Sequence, residues 1–338
     1  MLLVRLKADK KIPPVNRNLK AALESTGAFM YNKPCLKICL KEKFMDYFIR
    51  IAKGMMIGIA NVIPGVSGGT MAVSLGIYDR LIGSISGLTK NFKDSISFLL
   101  PILIGCGLGI AGFTYAIEYL LSKHTFVTCM TFVGLILGGI PTILRAMNKK
   151  SGRSGRNIGI AGVLAFFVAF TISAGLPLMK EGDEVLSSIP VTAGNMAILF
   201  LLGIISSATM VIPGVSGSMM LMILGYYYGI INTIKGFLDA LRAMDMVALK
   251  DGFFLLVPFG IGILLGIILI AKLISFLFDH YGVQTYCAIL GLVAASPFAI
   301  FYNTGLFSEL SSLSVWAVLL GVLLLIAGAF ITNFVGEK

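Results

Sequence analysis

Charge is what this sequence of 338 residues has least of: Asp, Glu, Lys and Arg together make up 13% of it, against 57% hydrophobic residues, and the mean hydropathy is +0.94. So little charge excludes a water-soluble domain with a polar surface and leaves an integral membrane protein. The acids are the scarcer sign, 16 against 27 Lys and Arg, and there are two histidines. Five cysteines make no disulfide framework. Cys35 and Cys39 fit one helix face, but with no nearby histidine or second pair they make no metal site. Cys106, Cys129 and Cys287 lie in apolar segments and read as small packing residues. No metal and no cofactor is expected. Segments of alternating polarity are missing too, which excludes a β-barrel and leaves helices. No apolar core with a small-residue cleavage site follows the start, so no cleaved signal peptide is expected.

What is present is a series of apolar runs, at about 94–121, 126–147, 157–179, 193–234, 253–278, 284–302 and 313–335. Most reach the roughly 20 residues that a spanning helix needs. The net charge of +11 is uneven: residues 1–53 hold twelve Lys or Arg against four acids. Basic residues beside a first membrane segment are a topology signal, with some attraction to anionic lipid, and do not point to nucleic acid. Residues 1–43 read as a cytoplasmic tail, disordered or interfacial.

Inside this apolar background the chain interrupts itself twice with the same words. Residues 62–68 and 211–217 both read V-I-P-G-V-S-G, Leu75-Gly76 answers Leu224-Gly225, and Tyr78 answers Tyr227, all at a spacing of 149. After a shift of eight, the stretch from Phe98 matches that from Leu255, and the stretch from Val133 matches that from Leu290. The chain is two homologous halves. Loop charge tests their relative orientation. The loop 145–156 carries Arg145, Lys149, Lys150, Arg153 and Arg156 without an acid, which places it inside; the loop 178–192, with Lys180 against Glu181, Asp183 and Glu184, falls outside. Both agree if the segment around Pro64 enters and returns on one side. The predicted fold is an all-α polytopic membrane protein of two inverted repeats, each a re-entrant helical hairpin plus three transmembrane helices. The first repeat is 44–179 with its hairpin at 51–89, the second 180–338 with its hairpin at 190–236. Both termini are then cytoplasmic.

Broken backbone at membrane depth is tolerated where protein or water surrounds it. Pro64 and Pro213 end one half-helix, and glycines let the chain turn and bare its amides. The next half-helix starts near Ser67–Thr70 or Ser216–Met219, where free N–H groups and the positive dipole end suit an anion. The candidate binding residues are Pro64, Gly65, Ser67, Gly68, Gly69 and Thr70, with Pro213, Gly214, Ser216, Gly217 and Ser218. The bland alternative is close helix packing through small residues with a proline kink, which duplication makes the weaker reading. Arg80, three helical turns on, is a candidate for a phosphate headgroup at the cytoplasmic mouth; an Asp79–Arg80 pair or a snorkelling arginine is the rival. Its counterpart is Gly229, so any charge role is one-sided. Glu118 and Lys272 read as snorkelling, and His124 and His280 as loop residues. G-V-S-G also fits the G-x-S-G of rhomboid-type proteases, but no histidine lies in a membrane helix to serve as base, and no enzyme is expected.

At Gly54–Ile82 and Ser206–Ile230 the sequence resembles a bacterial and archaeal membrane family, the polyprenyl-phosphate or undecaprenyl-phosphate translocases, long catalogued as a domain of unknown function. The likeness covers about residues 50–335. Ser218 and Met219 stand in the second motif where Gly69 and Thr70 stand in the first. The resemblance implies a flippase returning the phosphorylated isoprenoid carrier of cell-wall precursors from the outer to the cytoplasmic leaflet. Its partners would be that lipid and the bilayer; homo-oligomer formation stays open. A polar path fits such cargo, since moving a bare charge into hydrocarbon costs of order 20 kcal/mol in the ideal case. The alternative is a channel or exchanger for a small inorganic anion using the same helix ends.

Overall fold

The structure, a computed structural model, describes residues 33–63, 66–150, 158–179, 188–309 and 313–336. Residues 1–32 of the basic tail, Pro64, Gly65 and the charged stretches 151–157 and 180–187 lie outside the described residues. Among the described residues there is no strand.

Helix α1 runs from Lys33 to Val62, so part of the expected tail is helical. Two compact units divide it: one ends at Ile49, and in it the rings of Phe44 and Phe48 meet at 4.7 Å; the other runs from Arg50 onward. In the second unit the first break is followed by two short helices, α2 (Gly68–Ser74) and α3 (Tyr78–Ser86). Then come α4 (Phe92–Lys123), α5 (Thr125–Leu137), α6 (Ile140–Lys150) and α7 (Gly159–Gly175). The second half follows with α8 (Ala193–Val211), α9 (Gly217–Ile223), α10 (Tyr227–Ala243), α11 (Met246–His280), α12 (Gly282–Asn303), α13 (Leu306–Glu309) and α14 (Val315–Gly336).

Seven of the helical stretches are long and apolar enough to cross a membrane: α4, α5 with α6, α7, α8, α11, α12 and α14. This is a multi-pass membrane protein. At 1.5 Å per residue the 32 residues of α4 reach about 48 Å, so its ends extend past a hydrocarbon core of about 30 Å. Their outer faces carry large apolar side chains such as Leu103, Leu264 and Leu323, all exposed in the isolated chain, as a helix facing lipid tails requires. The α4 helix carries Pro101 in its interior and α11 carries Pro258, in matching places. The core instead gathers around α2, α5 and α12, where Met71, Leu75, Ile136, Val293 and Ile300 are fully buried.

Packing between helices depends on missing side chains. Gly54 and Gly58 of α1 lie against the backbone of Ile102 and Cys106 of α4. Gly262 and Gly266 of α11 lie in the same way against Phe200 and Ile204 of α8. In both pairs the residue numbers rise together, so the partners run in the same direction. Two further pairs join the halves. Gly134 and Gly138 of α5 meet Leu325 and Ala329 of α14, while Gly162 and Phe166 of α7 meet Cys287 and Gly291 of α12. These pairs also run in one direction, and the last long helix of each half packs on the second of the other. A Cβ on Gly134 would fall 2.1 Å from the Leu325 carbonyl oxygen, and one on Gly291 2.2 Å from that of Phe166. Backbones this close gain the dispersion contacts that hold helices together in lipid, where no hydrophobic drive separates them from solvent.

Candidate functional site

The backbone leaving each break folds alike. The helices α2 and α9 are seven residues each, and Ser67 and Ser216 stand before their first residues in extended backbone. The N–H of Met71 bonds to Ser67 O and that of Met220 to Ser216 O; the N–H of Ile77 bonds to Ala72 O and that of Tyr226 to Leu221 O. Gly76 at φ 69° and Gly225 at φ 78° make the left-handed turn out of each short helix, which a side chain would oppose.

The two breaks meet. The Gly214 N–H, 147 positions along the chain from Ser67, donates to Ser67 Oγ at 3.1 Å and to Thr70 Oγ1 at 2.6 Å. Ser67 Oγ also caps α2 by accepting from the Thr70 N–H at 3.1 Å, and the two hydroxyls lie 2.9 Å apart. Asn61, from the last turn of α1, accepts from the Gly68 N–H at 2.9 Å. On the other side Ser173 Oγ donates to Gly214 O at 3.0 Å, and the Tyr78 hydroxyl donates to Val211 O at 3.2 Å. Gly69 packs so tightly on Val211 that an added Cβ would be 2.9 Å from its carbonyl oxygen. The amides that the sequence left free for an anion are therefore engaged at Gly68, Thr70 and Gly214. The reason is burial: Thr70 is 0% and Ser67 5% exposed, and a donor enclosed in apolar protein has to find an acceptor.

The second break is more open. Ser216 is half-buried and makes no capping hydrogen bond, Ser218 is exposed, and their hydroxyls are 2.9 Å apart. Pro213, Gly214 and Gly217 are buried beneath them. Met210 replaces Asn61 at the matching place, packed on Gly217. Pro64 and Gly65, the remaining expected residues of the first motif, lie outside the described residues.

Arg80 is not brought to the motifs. Its guanidinium lies 4.4 Å from the centre of the Phe98 ring, beside a groove of about 270 Å³. A smaller cavity of about 50 Å³ lies by Asp79, whose carboxylate accepts from the Tyr286 hydroxyl and so ties α3 to α12. Neither is lined by a motif residue. Three polar residues escaped the sequence reading. Asn61, beside the first break, and Ser173, in an apolar run, sat unnoticed, and Lys53 was counted among the twelve basic residues of 1–53 as a topology signal. Yet Lys53 is 6% exposed and donates from Nζ to Leu75 O at 3.1 Å, at the C-terminal end of α2. A cation there meets the negative end of the helix. The available signal was periodicity: positions 50, 53, 57 and 61 share one face of α1. No group of three or more metal-ligating side chains occurs among the described residues.

Residues 57–314, which include both breaks, match the sequence model of a family described as undecaprenyl phosphate translocase-like. The chain belongs to this family. Two curated relatives of the translocase-like chain carry the name polyprenyl-phosphate transporter. One, from Staphylococcus aureus, is 34% identical over 259 residues, 75% of this chain and 86% of the relative. The other, from Vibrio cholerae, is 29% identical over 265 residues, 74% of this chain and 76% of the relative. No solved structure gives a significant match to this translocase-like chain. The matched span begins after Arg50 and Lys53, so the family model does not reach these two cations.

Proposed function

We propose that this protein is a flippase for polyprenyl phosphate, undecaprenyl phosphate or a close relative, moving it from the outer to the cytoplasmic leaflet for reuse in building the cell envelope. The observation that carries this reading is the meeting of the two breaks at Gly214, Ser67 and Thr70, in a chain whose relatives are named polyprenyl-phosphate transporters. Its partners are the lipid and the bilayer, and it catalyses no covalent step. The isoprenoid tail stays in lipid while the phosphate crosses by way of Pro64, Gly65, Ser67, Gly68, Gly69 and Thr70 and of Pro213, Gly214, Ser216, Gly217 and Ser218, with Arg80 at the mouth. In the closed contact described above, protein hydroxyls take the place of phosphate oxygens as acceptors for the Gly214 N–H. When the halves part, the headgroup takes over that donor, and the open Ser216–Ser218 pair adds two hydroxyls.

The architecture in this reading is two inverted repeats, 44–179 and 180–338, each a re-entrant hairpin plus three spanning helices, with both termini cytoplasmic. Chain direction supports it. Since α1 and α4 run alike, the segment between them returns to the side from which it entered; α8 and α11 give the same argument for the second hairpin. Since α5, second of its three long helices, runs alike with α14, third of its own, the halves enter from opposite faces.

Reconstitution tests the reading. In proteoliposomes carrying a polyprenyl phosphate, headgroups open to a membrane-impermeant probe should become protected at a rate set by the protein. Chloride or fluoride efflux with no protection of lipid would replace the flippase with an anion channel or exchanger.

A further inference from the structure

Two hydroxyls from the first half hold the second break. The last turn of a helix leaves carbonyls without an intrahelical donor, and the one that ends α8, Val211 O, is taken by the Tyr78 hydroxyl. Ser173 Oγ, from the buried face of α7, takes Gly214 O. Both donors have counterparts in the other half. Tyr78 answers to Tyr227 in the sequence repeat, and the same spacing makes Val62, the end of α1, the counterpart of Val211. For Ser173 the packing supplies the register. Gly162 of α7 lies on Cys287 and Phe166 on Gly291, while Gly321 of α14 lies on Met130 and Leu325 on Gly134. Positions 162 and 166 thus correspond to 321 and 325, and the same offset carries Ser173 to Thr332.

These counterparts are not engaged. The Tyr227 ring stands edge-on to Tyr228 at 5.3 Å. Thr332 is 0% exposed, and its hydroxyl has no hydrogen-bond partner among the described residues. Other threonines of the long helices avoid this: Thr114, Thr131 and Thr233 each turn the hydroxyl back to the carbonyl four residues earlier. A buried hydroxyl without a partner costs stability, a cost that the arrangement seen here does not recover at Thr332.

We propose that Tyr227 and Thr332 are positioning residues that grip the first break in the alternate conformation, as Tyr78 and Ser173 grip the second break in this one; the inference rests on the flippase reading and assigns residues to the motion it requires. In each conformation a tyrosine caps the carbonyl that ends the entering helix, Val211 of α8 or Val62 of α1. In each, a hydroxyl from the last long helix of one half donates to the broken backbone of the other. Two hydrogen bonds are exchanged for two of the same kind, so the conformations lie close in free energy and a bound headgroup can shift the balance between them.

The test sets melting temperature beside the rate at which full-length protein in proteoliposomes flips a polyprenyl phosphate. Tyr78→Phe and Ser173→Ala should lower the melting temperature, since each removes a bond present in this conformation. Tyr227→Phe and Thr332→Val should leave it unchanged, or raised for Thr332→Val, and yet slow flipping about fivefold, the weight of one hydrogen bond in the alternate conformation. Thr332→Ser, which keeps a hydroxyl, should flip near the original rate. A hydroxyl with only a structural role would not separate the two readouts. If either Tyr227→Phe or Thr332→Val flips lipid at the original rate, the grip on the first break is overturned and the flippase stands. A second measurement does not depend on transport. In protein freed of its native cysteines, the pairs Tyr78→Cys/Val211→Cys and Tyr227→Cys/Val62→Cys are each treated with a short bifunctional thiol reagent. Both pairs should cross-link, each capturing one conformation; cross-linking of the first pair alone would overturn the exchange. If the original protein does not flip lipid, the flippase reading falls, and the cross-links decide the exchange by themselves.

Discussion

The segments 67–82 and 216–231 have the same course of backbone and opposite characters. In the first, Ser67 and Thr70 are buried and committed to Gly214; in the second, Ser216 and Ser218 are open and bonded to each other. A duplicated chain needs the same turns and the same short helix in both copies, because those bonds are set by backbone geometry. Side chains are held less tightly by the duplication, and here one copy has become the clasp while the other has kept an accessible face. The helix before the first break also carries Arg50, Lys53 and Asn61, where the helix before the second has Leu199, Leu202 and Met210. Pseudosymmetry of fold and asymmetry of chemistry coexist because they depend on different atoms.

Exchanging characters across the pseudosymmetry should break the comparison most severely. Leu202, 5% exposed on α8, packs in an apolar cluster with Leu199, Leu221 and Phe259, so Leu202→Lys should cost several kcal/mol and yield little folded protein on size-exclusion chromatography. The reverse change, Lys53→Leu, should leave the melting temperature in place or raise it, since an apolar replacement for a buried charge is often neutral or stabilising, while lipid flipping falls.

Next come the paired close approaches. Gly134→Val and Gly291→Val each force a side chain onto a neighbouring backbone, and each should lower stability by about 1–3 kcal/mol or more. Equal drops in melting temperature would sharpen the picture of equivalent packing; a clear difference would break it.

The smallest effects separate the motifs. Thr70→Ala removes the nearer acceptor of a buried N–H and should cost about 1–2 kcal/mol in thermal or denaturant unfolding. Ser218→Ala, exposed, should cost under about 0.5 kcal/mol and yet slow flipping. If the two hydroxyls prove equal in stability, the division into clasp and open face is wrong.

Much of this was legible before any coordinates. Seven identical residues at fixed spacing announced the repeat, the proline and glycines placed both breaks, and the apolar runs anticipated the seven long helices, because hydrophobic length and backbone punctuation are local properties. The partners were not legible. Nothing near Ser67 says that its hydroxyl faces an amide 147 positions away, nor does anything near Arg80 name Phe98 as its platform. Lys53 was hidden among the basic residues of 1–53, since its burial comes with its bond to Leu75 at the end of α2. Periodicity shows which face is apolar, and the third dimension decides which polar atom ends opposite which.

The exchange of helices between halves has a bearing on biogenesis. The furrow along Gly134 and Gly138 is filled by Leu325 and Ala329, from α14, which leaves the ribosome long after α5. Until that helix is inserted, the amino-terminal half lacks a wall of its own bundle, so the halves cannot mature one after the other like beads on a string. Closure of that furrow waits for α14, and cutting the chain ahead of Val315 should unsettle residues synthesised some two hundred positions earlier.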